Sequence, residues 1–230
     1  MKIAIFGGTG DLGRGLAICF AAAGHDIIVG SRSQERADQA ADGLREALPT
    51  GNFVPMENVA AAGAAELAIV SIPWEGIEQT IPPMAAALAG KIVITVANAL
   101  KFGKSGAIAV QGADLPAGAQ SCAHAVQDLA PEAKVVVAYN NLPAAALQAR
   151  HDLRADVLVC GKSREAREAV IELTKDLPGA RGLDAGPLAN ALIIEGMTAL
   201  VINMNKRYGG EASLQITGLE NAPERSAAGH

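Results

Sequence analysis

Lys2-Ile3-Ala4-Ile5-Phe6-Gly7-Gly8-Thr9-Gly10-Asp11-Leu12-Gly13 is the stretch whose reading decides the fold. The apolar run Lys2–Phe6 suits a buried parallel strand, and a helical pattern follows Gly13. Gly8, Gly10 and Gly13 satisfy G-x-G-x-x-G in the strand–turn–helix setting that gives the pattern weight. Gly8 permits the tight turn, Gly10 lets a pyrophosphate approach the backbone, and Gly13 lets the helix pack on the strand. The helix that starts there offers free N–H groups and the positive end of its dipole to phosphate.

The next apolar run, Ile27-Ile28-Val29, ends in Gly30-Ser31-Arg32. A site for NAD wants an acidic residue there, about 20 residues past the glycines, for the ribose 2′-hydroxyl. Here Ser31 and Arg32 hold the place, with Arg36 one helical turn later. A carboxylate would repel a 2′-phosphate, whereas a hydroxyl and two guanidiniums bind it through charge-assisted hydrogen bonds. The expected dinucleotide is therefore NADP.

Composition narrows the classes. The 230 residues allow one large domain, or a domain with a small extension. Half the residues are hydrophobic but only 3% are aromatic, so Ala, Val, Ile and Leu must build the core. A net charge of −5, with no basic stripe and no stacking aromatics, argues against nucleic acid. Cys19, Cys122 and Cys160 are widely spaced and odd in number, unlike a disulfide framework or a metal site, and suit a reducing cytoplasm. The N-terminus reads as a strand rather than a signal peptide. Pro187–Met204 is apolar but interrupted by Asn190, Glu195 and Asn203, which favours a buried or interface helix over a membrane span.

Strand and helix patterns alternate, as in a doubly wound parallel α/β sheet. Helices are expected over 11–23, 33–48, 143–149, 163–177 and 187–208. Strands are expected over 2–6, 26–30, 52–56, 67–72, 91–96 and 134–139, in the order 3-2-1-4-5-6. Residues 97–116 lack clear periodicity and read as a long loop. Further strands are expected at 156–160 and 181–184. The chain then divides into a dinucleotide-binding Rossmann domain, 1–150, a small C-terminal α/β extension, 151–219, and a disordered tail, 220–230.

Ligands in such sheets bind beyond the carboxyl ends of the strands. That collects the turns at 7–13, 72–76, 97–105 and 139–144 around one crevice. Trp74 suits either the mouth of a site or a core anchor. Asn98 and Asn141 suit either ligand contact or turn backbone. Proton-transfer groups are few: His25 lies at the wrong end of the sheet, His151 and His230 in polar segments, and only His124 could approach the crevice. No catalytic side chain is assigned. Reducing a carbonyl needs a proton donor for the alkoxide, but passing hydride between two flat rings needs mainly alignment.

Gly-Gly-Thr-Gly-x-Leu-Gly at 7–13, Val-Gly-Ser-Arg at 29–32, Ile-Pro-Trp at 72–74, Tyr-Asn-Asn-Leu-Pro-Ala at 139–144 and Leu-Asp-Ala-Gly-Pro-Leu at 183–188 occur together. The combination resembles the NADPH-dependent reductases of the deazaflavin coenzyme F420. The resemblance implies reversible hydride transfer between nicotinamide and deazaflavin, in a usually dimeric cytoplasmic enzyme. It also implies that Thr9, Gly10, Asp11 and Leu12 hold the pyrophosphate, and Ser31, Arg32 and Arg36 the 2′-phosphate. Pro73, Trp74, Ala97 and Asn98 would line the nicotinamide side, with Asn141, Leu142 and Pro143 facing the deazaflavin. Relatives often carry Asn-Pro after strand five and Asn-Thr-Ile-Pro after strand six, where this chain has Asn98-Ala99 and Asn140-Asn141-Leu142-Pro143. Both departures fall on the acceptor side. They keep open an NADPH-dependent reductase of a flavin, quinone, carbonyl or imine, and the thin acid–base inventory keeps open a non-catalytic NADP sensor.

Overall fold

The computed structural model describes residues 1–110 and 112–219; the expected tail at 220–230 lies outside the described residues. Its strands, in chain order, are β1 (Lys2–Phe6), β2 (Asp26–Ser31), β3 (Phe53–Glu57), β4 (Leu67–Val70), β5 (Ile92–Thr95), β6 (Leu100–Gly103), β7 (Gly106–Ala109), β8 (Lys134–Val137), β9 (Ala155–Gly161) and β10 (Ala180–Pro187). The main sheet runs β3-β2-β1-β4-β5-β8-β9-β10. From β3 to β8 every neighbour is parallel, which is the expected doubly wound order. β9 then pairs antiparallel with β8, and β10 parallel with β9.

The helices are α1 (Asp11–Ala22), α2 (Gln34–Ala47), α3 (Asn58–Ala64), α4 (Ile77–Thr80), α5 (Ala85–Leu88), α6 (Cys122–Leu129), α7 (Ala144–Gln148), α8 (Arg164–Thr174) and α9 (Ala191–Tyr208). They sort onto two faces because strand side chains alternate. Ile3 and Ile5 of β1 pack with Leu16 and Phe20 of α1, Leu44 of α2 and Val170 of α8. Ala4 and Phe6 pack on the other face with Ala61 of α3, Ile77 of α4 and Val126 of α6. Both faces of β1 are thus buried, which is why its sequence is an unbroken apolar run. Ser163 caps α8 by accepting from Ala166 N.

Residues 97–116 are not a bare loop. β6 and β7 form a hairpin across Lys104-Ser105, closed by Gly103 opposite Gly106. Gly106 has φ +118°, and a Cβ there would meet Asn203 Oδ1 at 2.2 Å. The Asn203 side chain donates to Ala107 O at 2.8 Å and accepts from Ala107 N at 2.7 Å, standing in for another strand. Four-residue strands carry too little alternation to show in sequence, and their partner is a helix about 95 residues away.

α9 begins later than the expected helix, after a 3-10 turn at Leu188–Asn190. Leu188–Tyr208 is long and apolar enough to cross a membrane by length and composition alone. In the fold its polar residues instead bind other elements. Glu195 accepts from the backbone N–H groups of Cys122 and Ala123, Thr198 donates to Asn141, and Asn203 holds the hairpin.

Candidate functional site

The carboxyl ends of β1, β2, β3 and β4 meet around one open cleft of about 720 Å³. Its floor is the first turn. Gly7 sits at φ +86°, where a Cβ would come 2.3 Å from the Ser71 carbonyl oxygen, so only glycine lets β1 turn this close to β4. Gly10 N donates to Gly7 O at 3.0 Å, which closes the turn and starts α1. A Cβ on Gly13 would lie 2.7 Å from Gly7 O, so the third glycine brings α1 down onto the turn.

Gly10 occupies the N-cap position of α1, and no side chain caps the helix. The first-turn N–H groups at Asp11, Leu12 and Gly13 therefore have no acceptor among the described residues, the arrangement that favours an anion. A Cβ on Gly10 would meet only Gly7 O, at 3.5 Å, so the approach to this end is open.

The wall of the cleft is the end of β2. Ser31, Arg32 and Arg36 line it together with Gly8 and Thr9, and Pro73 and Ile72 line it from β4. Ser33 caps α2 by accepting from Arg36 N, which fixes where α2 starts and so where Arg36 stands. Arg32 and Arg36 are exposed, and neither guanidinium has an acidic partner among the described residues. Two unpaired cations and a hydroxyl beside an anion-binding helix end form a cradle for a phosphorylated dinucleotide, and the residues present fit NADP.

Trp74 opens the 3-10 turn Trp74–Gly76 and is partly buried against the core on the Ala4 and Phe6 face, as an anchor would be; it is not among the residues that line the cleft. The other expected contacts form a second cluster at the ends of β5 and β8. Asn98 Nδ2 donates to Val96 O and Asn140 O, and Asn140 Nδ2 donates to Ala97 O and Asn98 Oδ1. These bonds tie the two strand ends together. Asn141 Oδ1 accepts from Thr198 Oγ1 at 2.6 Å, which leaves its amide N–H₂ as the free half of the side chain. Leu142 is buried, and Pro143 precedes α7 as its N-cap. Tyr139, at φ +68°, turns the chain out of β8 while its ring is buried against Phe20.

Proton-transfer groups stay scarce in three dimensions. His124 Nδ1 lies 2.9 Å from Ser121 Oγ, within its own helix start, and His124 does not line the cleft. His25 pairs with Asp176 at 2.8 Å, near the amino end of β2. Burial pushes the thiols up, Cys19 to about 11 and Cys160 to about 12. Cys122 rises further, through burial and the Glu195 charge beside it. None is a thiolate at neutral pH. Burial also raises Glu195, against the hydrogen bonds it accepts from the start of α6.

The cleft also contains Arg14, Gln39, Gly43, Asn58, Gln79 and Thr80, which sequence reasoning did not single out. Gln39 and Gly43 lie three and seven residues past Arg36, on one face of α2, so helical spacing could have found them. Arg14 donates to Gly43 O at 2.9 Å and ties α1 to α2. Asn58, Gln79 and Thr80 come from β3–α3 and α4 and carry no local signal.

Comparison with known proteins follows the same line. A family model described as "NADP oxidoreductase coenzyme F420-dependent" matches residues 2–99. An F420-dependent NADP reductase of Methanocaldococcus jannaschii is 38% identical over 229 residues, spanning 96% of this chain and all of the relative. Another, from Methanothermobacter marburgensis, is 35% identical over 95% of this chain and 99% of its own length. A crystal structure from Arthrobacter sp. FB24, described as an F420-dependent NADP-reductase, superposes with a TM-score of 0.78 at 25% identity, covering 94% of this chain and 99% of that one.

Proposed function

The chain belongs to the F420-dependent NADP reductase family, and on that premise we propose that it transfers hydride reversibly between NADPH and coenzyme F420. The observation that carries the dinucleotide half is the pair of unpartnered guanidiniums, Arg32 and Arg36, beside Ser31 at the end of β2. When bound, the dinucleotide supplies or accepts the hydride at its nicotinamide ring.

The chain's own residues bind and orient. Gly8, Thr9, Gly10 and the N–H groups of Asp11 and Leu12 hold the pyrophosphate, on a floor kept low by Gly7 and Gly13. Ser31, Arg32 and Arg36 hold the 2′-phosphate. Pro73, Trp74, Ala97 and Asn98 border the nicotinamide, and Asn141, Leu142 and Pro143 border the deazaflavin. Ile72, Trp74, Ala97 and Leu142 offer apolar surface that keeps water from the reacting rings. The free amide N–H₂ of Asn141 is suited to a ring carbonyl of the acceptor. Ring-to-ring hydride transfer fits a site without a dedicated acid, since alignment supplies most of the advantage.

We read the protein as cytoplasmic and homodimeric. Ile193, Leu200, Met204 and Tyr208 are exposed along α9 at helical spacing, which supports a partner surface there. Light scattering across micromolar concentrations should give a dimer mass, and a monomer throughout would remove that part.

The test of function is NADPH oxidation by the pure protein, with F420 and riboflavin-type acceptors in parallel. Turnover with F420 and little with the flavin is the expected result. Tight NADPH binding without turnover of F420 would keep the dinucleotide site and reject the acceptor.

A further inference from the structure

We propose that Asn58 reads the adenine edge of the bound dinucleotide and makes the cleft selective for adenine over other purines. The inference rests on the NADP reading above and extends it to the base, which the phosphate cradle leaves unread. β3 pairs with β2 so that Glu57 lies beside Ser31, which places Asn58 one residue beyond the 2′-phosphate wall. Its amide sits against Gly30, where a Cβ would fall 3.2 Å from Asn58 Oδ1.

That oxygen is buried and has no hydrogen-bond partner. The side-chain nitrogen makes no hydrogen bond to any described residue either, although Asn58 lines the cleft. An amide oxygen shut from water and left unpaired, on a side chain that is otherwise partly exposed, is costly to keep, so a function for it is expected. Gln79 and Thr80 line the same cleft from α4, and their side chains also have no partner among the described residues. The cradle residues explain the anionic part of the ligand, and these three polar side chains remain unspent.

An amide matches an adenine edge in a way it matches few other groups. Its oxygen accepts from the exocyclic amine while its nitrogen donates to the neighbouring ring nitrogen. Because the oxygen is buried against Gly30, the side chain must change rotamer on binding so that the oxygen turns into the cleft. On the edge that carries ring N7, hypoxanthine has a carbonyl where adenine has the amine and so presents two acceptors, which leaves the amide oxygen without a donor whichever way the amide is turned.

The test is calorimetric binding of adenosine 2′,5′-bisphosphate and its inosine counterpart to the intact protein and to Asn58→Ala. The wild type should prefer the adenosine compound by roughly 5- to 150-fold, the discrimination a bidentate amide–adenine pair supplies. Asn58→Ala should bind both alike, with the adenosine compound weakened and the inosine compound little changed. The substitution removes no hydrogen bond within the protein and takes away an unpaired buried oxygen, so a melting temperature equal to or above that of the wild type checks the fold. Equal wild-type binding of the two compounds overturns the proposal and leaves the NADP reading intact. Undiminished preference in Asn58→Ala overturns the role of Asn58. Failure of the wild type to bind either compound overturns the NADP reading and this proposal with it.

Discussion

Replacing Arg32 by alanine isolates the element that selects the dinucleotide. Arg32 is exposed, stands immediately after β2, and faces the cleft without an acidic partner among the described residues. Its removal leaves no buried charge uncompensated, so unfolding free energy should move by no more than about 0.5 kcal/mol. Binding should respond far more. A hydrogen bond to a charged group contributes about 1.5–3 kcal/mol, or roughly 10- to 150-fold in affinity for NADPH. The purely Coulombic share at this exposed wall is smaller, about 1 kcal/mol for unit charges 4 Å apart in water. That share should fade with salt, because the Debye length shrinks from about 10 Å at 0.1 M to about 3 Å at 1 M. NADH has no 2′-phosphate and should lose little. The assay is direct titration of NADPH and NADH, followed by nucleotide fluorescence, at low and high salt. Arg36 stands one turn along on the same wall, so Arg32→Ala/Arg36→Ala should lose less than the two single effects added if the cations share one phosphate. Equal weakening of NADPH and NADH, or none for either, would refute the assignment.

Further outcomes follow from other parts of the structure. Gly7→Ala adds a Cβ 2.3 Å from Ser71 O at a positive φ. It should cost about 2–5 kcal/mol and lower the melting temperature by roughly 5–20 °C, which calorimetry would show. Asp156 is held below the usual carboxylate range chiefly by the hydrogen bond from Arg181, whose guanidinium meets it at 2.7 and 2.8 Å. A depressed carboxylate stabilises the fold above its unfolded value and loses that contribution as pH falls through the folded one. Asp156→Asn should therefore be less stable than the wild type by about 1–3 kcal/mol at pH 7, with the gap closing as pH drops below about 4. Urea unfolding at both pH values checks this, and a constant gap would contradict it. The buried, raised thiols of Cys19, Cys122 and Cys160 should resist alkylation at pH 8 in the folded protein and react fully in denaturant. Mass spectrometry distinguishes the two, and rapid labelling of the native chain would count against the packing described.

What the chain determined by itself is what can be written within about twenty consecutive residues. Glycines at 8, 10 and 13 between an apolar run and a helical pattern mark the phosphate turn. The steric demand falls on Gly7 and Gly13, where a Cβ would come 2.3 Å from Ser71 O and 2.7 Å from Gly7 O, and not on Gly8, where it would meet only ordinary contacts from 3.6 Å. The absence of an acid at 31 and 32 is equally local. Alternating strand and helix patterns pointed to a parallel sheet, and the observed order from β3 to β8 is the one expected of a doubly wound fold. Tertiary structure alone decided which distant side chains share a surface. Asn58 reaches the cleft only because β3 docks on β2 in one register. The β6–β7 hairpin depends on Asn203, and the start of α6 is capped by Glu195, more than 70 residues away. Asn98 and Asn141, open in sequence between ligand and turn, find protein partners in Asn140 and Thr198. The physical reason is that periodicity and turn chemistry encode which face of an element is buried. They do not encode which polar groups the packing of those faces brings within 3 Å of one another.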